Sequence, residues 1–125
     1  MLLDLPCARS APPLLLSPAE TKVLLAQYVV AEASGIRLSA FCAATRGRRE
    51  EAYARQIAMY LCHVVLELSP KEIAGHFGRD RTTASHAIQR IEDARDNPVF
   101  DRAVTTLETQ LLALTRKAEC EEVWP

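Results

Sequence analysis

The sequence predicts an all-α domain of about five to six helices that includes a helix-turn-helix. Three observations predict it. Apolar residues recur at steps of three and four along most of the chain, the spacing that places them on one face of a helix. The pattern Ser-Pro-x-Glu occurs at Ser17–Glu20 and again at Ser69–Glu72, joining a cap serine to a first-turn proline and a glutamate placed to reach back. No alternating apolar and polar run competes as a strand. A length of 125 residues fits one domain, and 49% hydrophobic with 25% charged residues is the balance of a chain that folds around a core.

Residues 1–16 hold three prolines, few charges and no periodic pattern, and are expected to form a mobile arm outside the fold. The first helix should follow the cap Ser17 and run to about Ser34. It carries Val23, Leu24, Ala26, Gln27 and Val30 on one side, with Gly35 as its stop. A shorter helix is expected over Ile36–Ala44, started by Ser39 and turning Leu38, Phe41 and Cys42 inward. Thr45-Arg46-Gly47-Arg48-Arg49 reads as a basic turn. The next helix should span about Glu50 to Leu68, with Tyr53, Ile57, Tyr60, Leu61, Val64 and Leu68 on one face as the spine of the core. Ser69 then caps a short helix that Gly78 stops, and Asp80 or Arg81 begins another that runs through Ile88 and Ile91 to about Ala94. Asn97-Pro98 restarts the chain for a last helix striped by Phe100, Val104, Leu107, Leu111 and Leu114 and ending near Lys117. The folded unit is thus expected over residues 17–117, and residues 118–125 as an acidic tail.

Several function classes are disfavoured. Cys7, Cys42, Cys62 and Cys120 lie far apart and follow no secretory leader, so reduced thiols and a cytoplasmic location are expected. No run reaches the roughly 20 apolar residues of a membrane span. His63, His76 and His86 form no i, i+4 pair with an acidic partner, so no metal is expected. The isolated glycines make no phosphate loop, and there is no G-x-S-x-G elbow or Cys–His signature. No catalytic residue, cofactor or small-molecule substrate is therefore expected.

The net charge of −1 divides unevenly. Residues 1–36 carry two basic and three acidic groups, residues 37–95 ten and seven, and residues 96–125 three and six. A field that attracts polyanions is concentrated in the middle, and attraction to DNA depends on which face the charges share rather than on their total.

That middle holds the helix-turn-helix, Ser69 to Ala87. Ile73, Ala74 and Phe77 allow its first helix to pack closely on the second, Gly78 permits the sharp turn, and Ala84, Ala87 and Ile88 face inward. His86 is expected on the buried side as a packed, hydrogen-bonded histidine. Arg79, Arg81, Thr82, Thr83, Ser85 and Gln89 remain to face a groove. A recognition helix enters the major groove N-terminus first, so Asp80 to Ser85 are best placed to reach base edges. Arginine can contact guanine with both prongs of its fork, and threonine offers a hydroxyl or a methyl to thymine. The basic turn with Arg46, Arg48 and Arg49, and Arg55 two turns later, suits phosphates or the narrow, negative minor groove.

Two blocks are specific in order and spacing: Arg55-Gln56-Ile57-Ala58-Met59-Tyr60-Leu61, then Ser69, Glu72-Ile73, Phe77-Gly78-Arg79-Asp80, Thr82-Thr83, His86-Ala87 and Arg90-Ile91-Glu92. From about Val23 to Leu114 the chain closely resembles the C-terminal DNA-binding domain of DnaA, the bacterial chromosomal replication initiator. The resemblance implies a Trp-repressor-like helix-turn-helix, double-stranded DNA as the partner and a short asymmetric box as the target. It implies base reading at Asp80, Arg81, Thr82 and Thr83. A loop matching Arg46 to Arg49 would enter the adjacent minor groove, and Arg55, Gln56, Lys71 and Arg90 would lie on the backbone or flanking bases. Arg79, the basic residue of the turn, joins the backbone set.

The chain departs from the family in three ways. Arg81 stands where the family typically has histidine, and its longer, permanently charged fork implies a changed base preference. One glycine, Gly78, stands where the family usually has two. No ATPase domain precedes this one, which implies a stand-alone regulator of transcription or of a replication origin rather than a complete initiator. The alternative reading is a protein-interaction module that kept the fold and lost the DNA. Its support is the negative net charge, the acidic end and the apolar stripe of the last helix, a surface for a partner or a second copy in a homodimer.

Overall fold

Both Ser-Pro-x-Glu patterns form the capping boxes their residues call for. Ser17 Oγ accepts from the Glu20 N–H at 3.1 Å while the Glu20 carboxylate accepts from the Ser17 N–H at 2.9 Å. Ser69 and Glu72 repeat the exchange at 3.2 and 2.8 Å. The structure, a computed structural model, describes residues 17–43 and 47–123. The expected arm, residues 1–16, and Arg46 lie outside the described residues. Those described form α1 (Pro18–Ser34), a 3-10 turn (Leu38–Cys42), α2 (Arg49–Val64), α3 (Pro70–Phe77), α4 (Arg81–Ala94) and α5 (Pro98–Val123), with no strand among them. The all-α expectation holds.

Helix α2 is the spine. It packs against α4 most extensively and also against α1, α3 and the 3-10 turn, while α1 lies on α5. Phe41, Met59, Leu61, Ile73, Phe77, Ile91, Val104 and Leu111 are almost wholly buried in one continuous core. Fully burying a side chain of this size contributes about 1.5–3 kcal/mol, so this set dominates the stability of the fold.

Three elements and one cysteine differ from expectation. The segment after Gly35 is a 3-10 turn beginning at Leu38 rather than an α-helix begun by Ser39. Its N-cap Arg37 makes no side-chain cap bond, and Ala40 N–H donates to Arg37 O at 3.0 Å at its start. Helix α2 stops at Val64, short of Leu68, because Glu67 takes a left-handed φ of 60°. Past that kink Leu68 N–H reaches back to Cys62 O at 3.2 Å and Leu68 O meets His63 Nδ1 at 3.0 Å, leaving Val64 41% exposed. Helix α5 continues past Lys117 to Val123, so the acidic residues expected as a tail are helical to that point. Neither glycine nor proline interrupts that stretch before Pro125. Finally, Cys42 is disulfide-bonded, against the expectation of a reduced thiol. Its sulfur lies 3.5 Å from the His76 carbonyl, a packing contact, since a disulfide sulfur has no proton to donate. Cys62 is a free thiol, and complete burial pushes its pKa up.

The end of α4 is fastened by Arg95. Its guanidinium donates to Asp101 and Glu108 at 2.6 Å each, to Tyr60 Oη at 3.0 Å and to Thr105 Oγ1 at 2.9 Å, joining α2, α4 and α5. Burial works against the charge, but the hydrogen bonds to Glu108, Asp101 and Tyr60 outweigh it and hold the arginine pKa above its ordinary value.

Candidate nucleic-acid interface

Helix α4 is placed by three short-range devices. The Ser69 box starts α3. Gly78, at φ 66° and ψ 34°, ends it in a left-handed conformation that glycine adopts at little cost. Asp80 then caps α4, its Oδ1 accepting from the Thr83 N–H at 2.8 Å. The turn is thus three residues, Gly78, Arg79 and Asp80, between two helices held together by Ile73, Phe77, Ala84 and Ile91 in the core.

Asp80 was expected to read bases, and its carboxylate already serves the helix. Hydrogen bonds from the Thr83 backbone and side chain lower its pKa, with a smaller contribution from the field of His86. Glu72 is lowered in the same way, first by the Ser69 backbone N–H. Both caps are therefore anionic at neutral pH, where a negative group at a helix N-terminus is favoured.

Helix α4 buries Ala84, Ala87, Ile88 and Ile91, as the sequence predicts, and exposes the rest of its circumference. Thr82, His86 and Gln89 follow one another at helical spacing on the face opposite that buried set, with Arg81 and Ser85 beside them, all exposed. Gln89 Nε2 donates to Asp93 Oδ1 at 2.9 Å. His86 is a correction: it is exposed on the outer face, not packed in the core. The spacing of Ala84, Ala87, Ile88 and Ile91 already puts position 86 there, although its neighbour in sequence Ala87 is buried.

Thr83 and Arg90, two turns apart, form the flank of α4 that faces α2. Two hollows lie along it. One, about 270 Å³, is lined by Arg55, Gln56, Arg79 and Thr83 among others, and the second, about 360 Å³, by Arg49, Tyr53, Gln56 and Arg90 among others. Gln56 borders both, so Arg79, Thr83, Gln56, Arg90 and Arg49 form one rim from the turn to the start of α2. The Gln56 Oε1 atom is buried with no hydrogen-bond partner among the described residues. The amide ends of glutamine are nearly equivalent in shape, so the group can instead present its NH2 at this position. Arg79 Nη1 lies 3.4 Å from the carbonyls of Phe77 and Gly78, which hold it over the turn.

Arg48 and Arg49 are exposed where α2 begins. Gly47 precedes them at φ 77°, and a Cβ added there would run into the Glu51 carboxylate. That carboxylate accepts from the Arg48 N–H at 3.1 Å. Arginine has no acceptor with which to return the bond, so the start of α2 is capped from one side only, unlike those of α1 and α3. Lys71 is exposed in the first turn of α3.

Arg55 does not join this set on the surface. It is 5% exposed, and its Nη2 donates to the Ala40 carbonyl at 2.9 Å, tying the 3-10 turn to α2. Its guanidinium thus has a structural task, at the edge of the hollow it shares with Gln56, Arg79 and Thr83. The position on α2 one residue before Gln56 faces inward, and a long arginine is accommodated there because a main-chain acceptor waits 15 residues upstream.

Residues 25–91, more than half of the chain, match the family described as the bacterial DnaA protein helix-turn-helix. Two solved structures are similar in fold and sequence. A DNA replication initiation factor is 31% identical with a TM-score of 0.71, the match covering 78% of this chain and 30% of that one. The replication initiator DnaA bound to AMPPCP and single-stranded DNA is 31% identical with a TM-score of 0.68, again over 78% of this chain and 30% of that one. The chain thus spans less than a third of the length of these relatives.

Proposed function

The chain belongs to the bacterial DnaA helix-turn-helix family, and from that membership we propose that it binds double-stranded DNA sequence-specifically, as a cytoplasmic regulator of transcription or of a replication origin acting by occupancy. The observation that carries the reading is the exposed N-terminal half of α4, bordered on one flank by the rim of Arg79, Gln56, Arg90 and Arg49. In this reading the start of α4 lies in the major groove. Arg81 offers its fork to guanine, Thr82 and Thr83 take adjacent base edges, and Asp80 stays mainly with the helix cap. Arg46, Arg48 and Arg49 serve the minor groove or its phosphates, and Lys71, Gln56, Arg79 and Arg90 the backbone on either side.

Phosphate contacts position the domain and base contacts specify the sequence, so the two sets separate on mutation. Selection of bound fragments from random duplex DNA should yield a consensus. Titration of that duplex should give a log-log salt slope of roughly −4 to −5 if about five phosphates are neutralised. Arg81→Ala is expected to erode preference for the consensus over scrambled duplex, whereas Arg48→Ala weakens both alike. Absence of binding to any duplex at low salt would sink the reading. Tight binding with no consensus would remove only its specificity.

A further inference from the structure

Beyond the groove-facing residues, we propose that Tyr53 is a positioning residue for DNA binding, its ring, braced by Phe100, holding Arg90 at the backbone rim. This inference rests on the DNA-binding reading. The Arg90 guanidinium carbon stands over the Tyr53 ring, 5.4 Å from its centroid. Tyr53 also meets Phe100, from the first turn of α5, at a centroid separation of 5.8 Å and an interplanar angle of 35°. Three helices thereby meet at one stack: α4 supplies the cation, α2 the ring it sits on and α5 the brace.

The stack matters for what it leaves open. A cation–π contact uses the ring's face and the positive charge, so the guanidinium N–H donors remain able to grip a phosphate oxygen pair. Arg90 makes no hydrogen bond or ion pair among the described residues, and its side chain is exposed. An arginine in that state would otherwise sample many rotamers, and each one lost on binding weakens affinity. Resting on Tyr53 removes part of that loss beforehand. The neighbouring hollow, lined also by Arg49, Glu50 and Gln56, lies beside the stack, so the held arginine borders open space on the same rim as Arg79 and Thr83. Arg79 is restrained by carbonyls and Arg90 by a ring, two ways of fixing a donor before the ligand arrives.

The test is a double-mutant cycle on the full chain, with affinity for the selected duplex measured at several salt concentrations and thermal melts run alongside. Arg90→Ala should flatten the salt slope by about one. Tyr53→Leu should weaken binding about two- to fivefold and move the slope part of the way toward that of Arg90→Ala, while Tyr53→Phe, which keeps the ring face, should match the wild type. Combined with Arg90→Ala, Tyr53→Leu should weaken binding no further. Should Tyr53→Leu fold poorly, Phe100→Leu loosens the brace and leaves the ring, and is expected to weaken binding less and only where Arg90 is present. An equal loss from Tyr53→Leu with and without Arg90 overturns the inference, as does wild-type affinity in Tyr53→Leu or a silent Arg90→Ala. A wild type that binds no duplex overturns the DNA reading itself and this inference with it.

Discussion

Arg90 and Arg95 belong to the same helix end, and each guanidinium stands over a tyrosine of α2, at 5.4 Å from the Tyr53 centroid and 5.7 Å from that of Tyr60. They differ in where their N–H groups go. Arg95 donates to Asp101, Glu108, Tyr60 and Thr105 and keeps only 18% of its side chain in solvent. Arg90 donates to none of the described residues. The acidic side chains that satisfy Arg95 come from α5, in the segment where acidic groups outnumber basic ones six to three. The rim beside α2 instead has Arg49 and Arg90 exposed. Two regions of like composition along α4 thus divide the work: one arginine closes the fold and the other is available to a polyanion. A net charge of −1 conceals that division.

The largest effect expected from this contrast is on stability, at Arg95. Arg95→Ala leaves Asp101 and Glu108 facing one another across a half-buried site without their cation. Loss of one partner of a buried pair costs ~3–5 kcal/mol and of an exposed pair ~0–1 kcal/mol, so about 2–3 kcal/mol is expected for this intermediate site. Urea unfolding measures it. Well below the melting temperature the variant's DNA affinity should stay within about twofold of wild type. A stable variant with weakened binding would reverse the roles assigned to the two arginines.

Next in size is the mirror experiment. Arg90→Ala is an exposed substitution and should change unfolding free energy by no more than about 0.5 kcal/mol, while the salt slope of binding falls by about one. Destabilisation of the size seen at Arg95 would show that Arg90 is part of the scaffold, and would erase the contrast.

How much of this was legible in the sequence follows from the range of the interactions. Capping boxes at Ser17 and Ser69, the stop at Gly78 and the inward set Ala84, Ala87 and Ile88 are decided by neighbours within four residues, and all stand as read. The end of α2 is not legible because a left-handed Glu67 carries no residue-type signal. Arg55 and Arg95 were opaque for another reason. Their partners lie 15 residues upstream at Ala40 and as far as 35 away at Tyr60, and nothing in a charge pattern distinguishes an arginine destined for a carbonyl from one destined for a phosphate. Within the candidate site, the exposure of Arg81, Thr82 and Thr83 around the start of α4 follows from helical geometry. The rim does not, because Gln56 joins it only through the packing of α2 on α4.

Asp80 gives the smallest and most discriminating prediction, since it stands between the two roles, at the start of the helix whose end Arg95 fastens. Its hydrogen bonds with Thr83 hold its carboxyl below the ordinary value of 3.8. A group with a depressed folded-state pKa adds stability above its unfolded value, and that stability is lost as pH falls through the lower, folded one. Asn at this position still offers an oxygen to the Thr83 N–H but does not titrate. Melting temperatures of Asp80→Asn and wild type, followed from neutral pH into acid below pH ~4, should therefore converge as pH drops, with the variant's profile the flatter of the two. Parallel profiles would mean that the carboxylate is not engaged in capping and is free for bases. Convergence leaves the cap as its main task and shifts the burden of reading the sequence onto Arg81, Thr82 and Thr83.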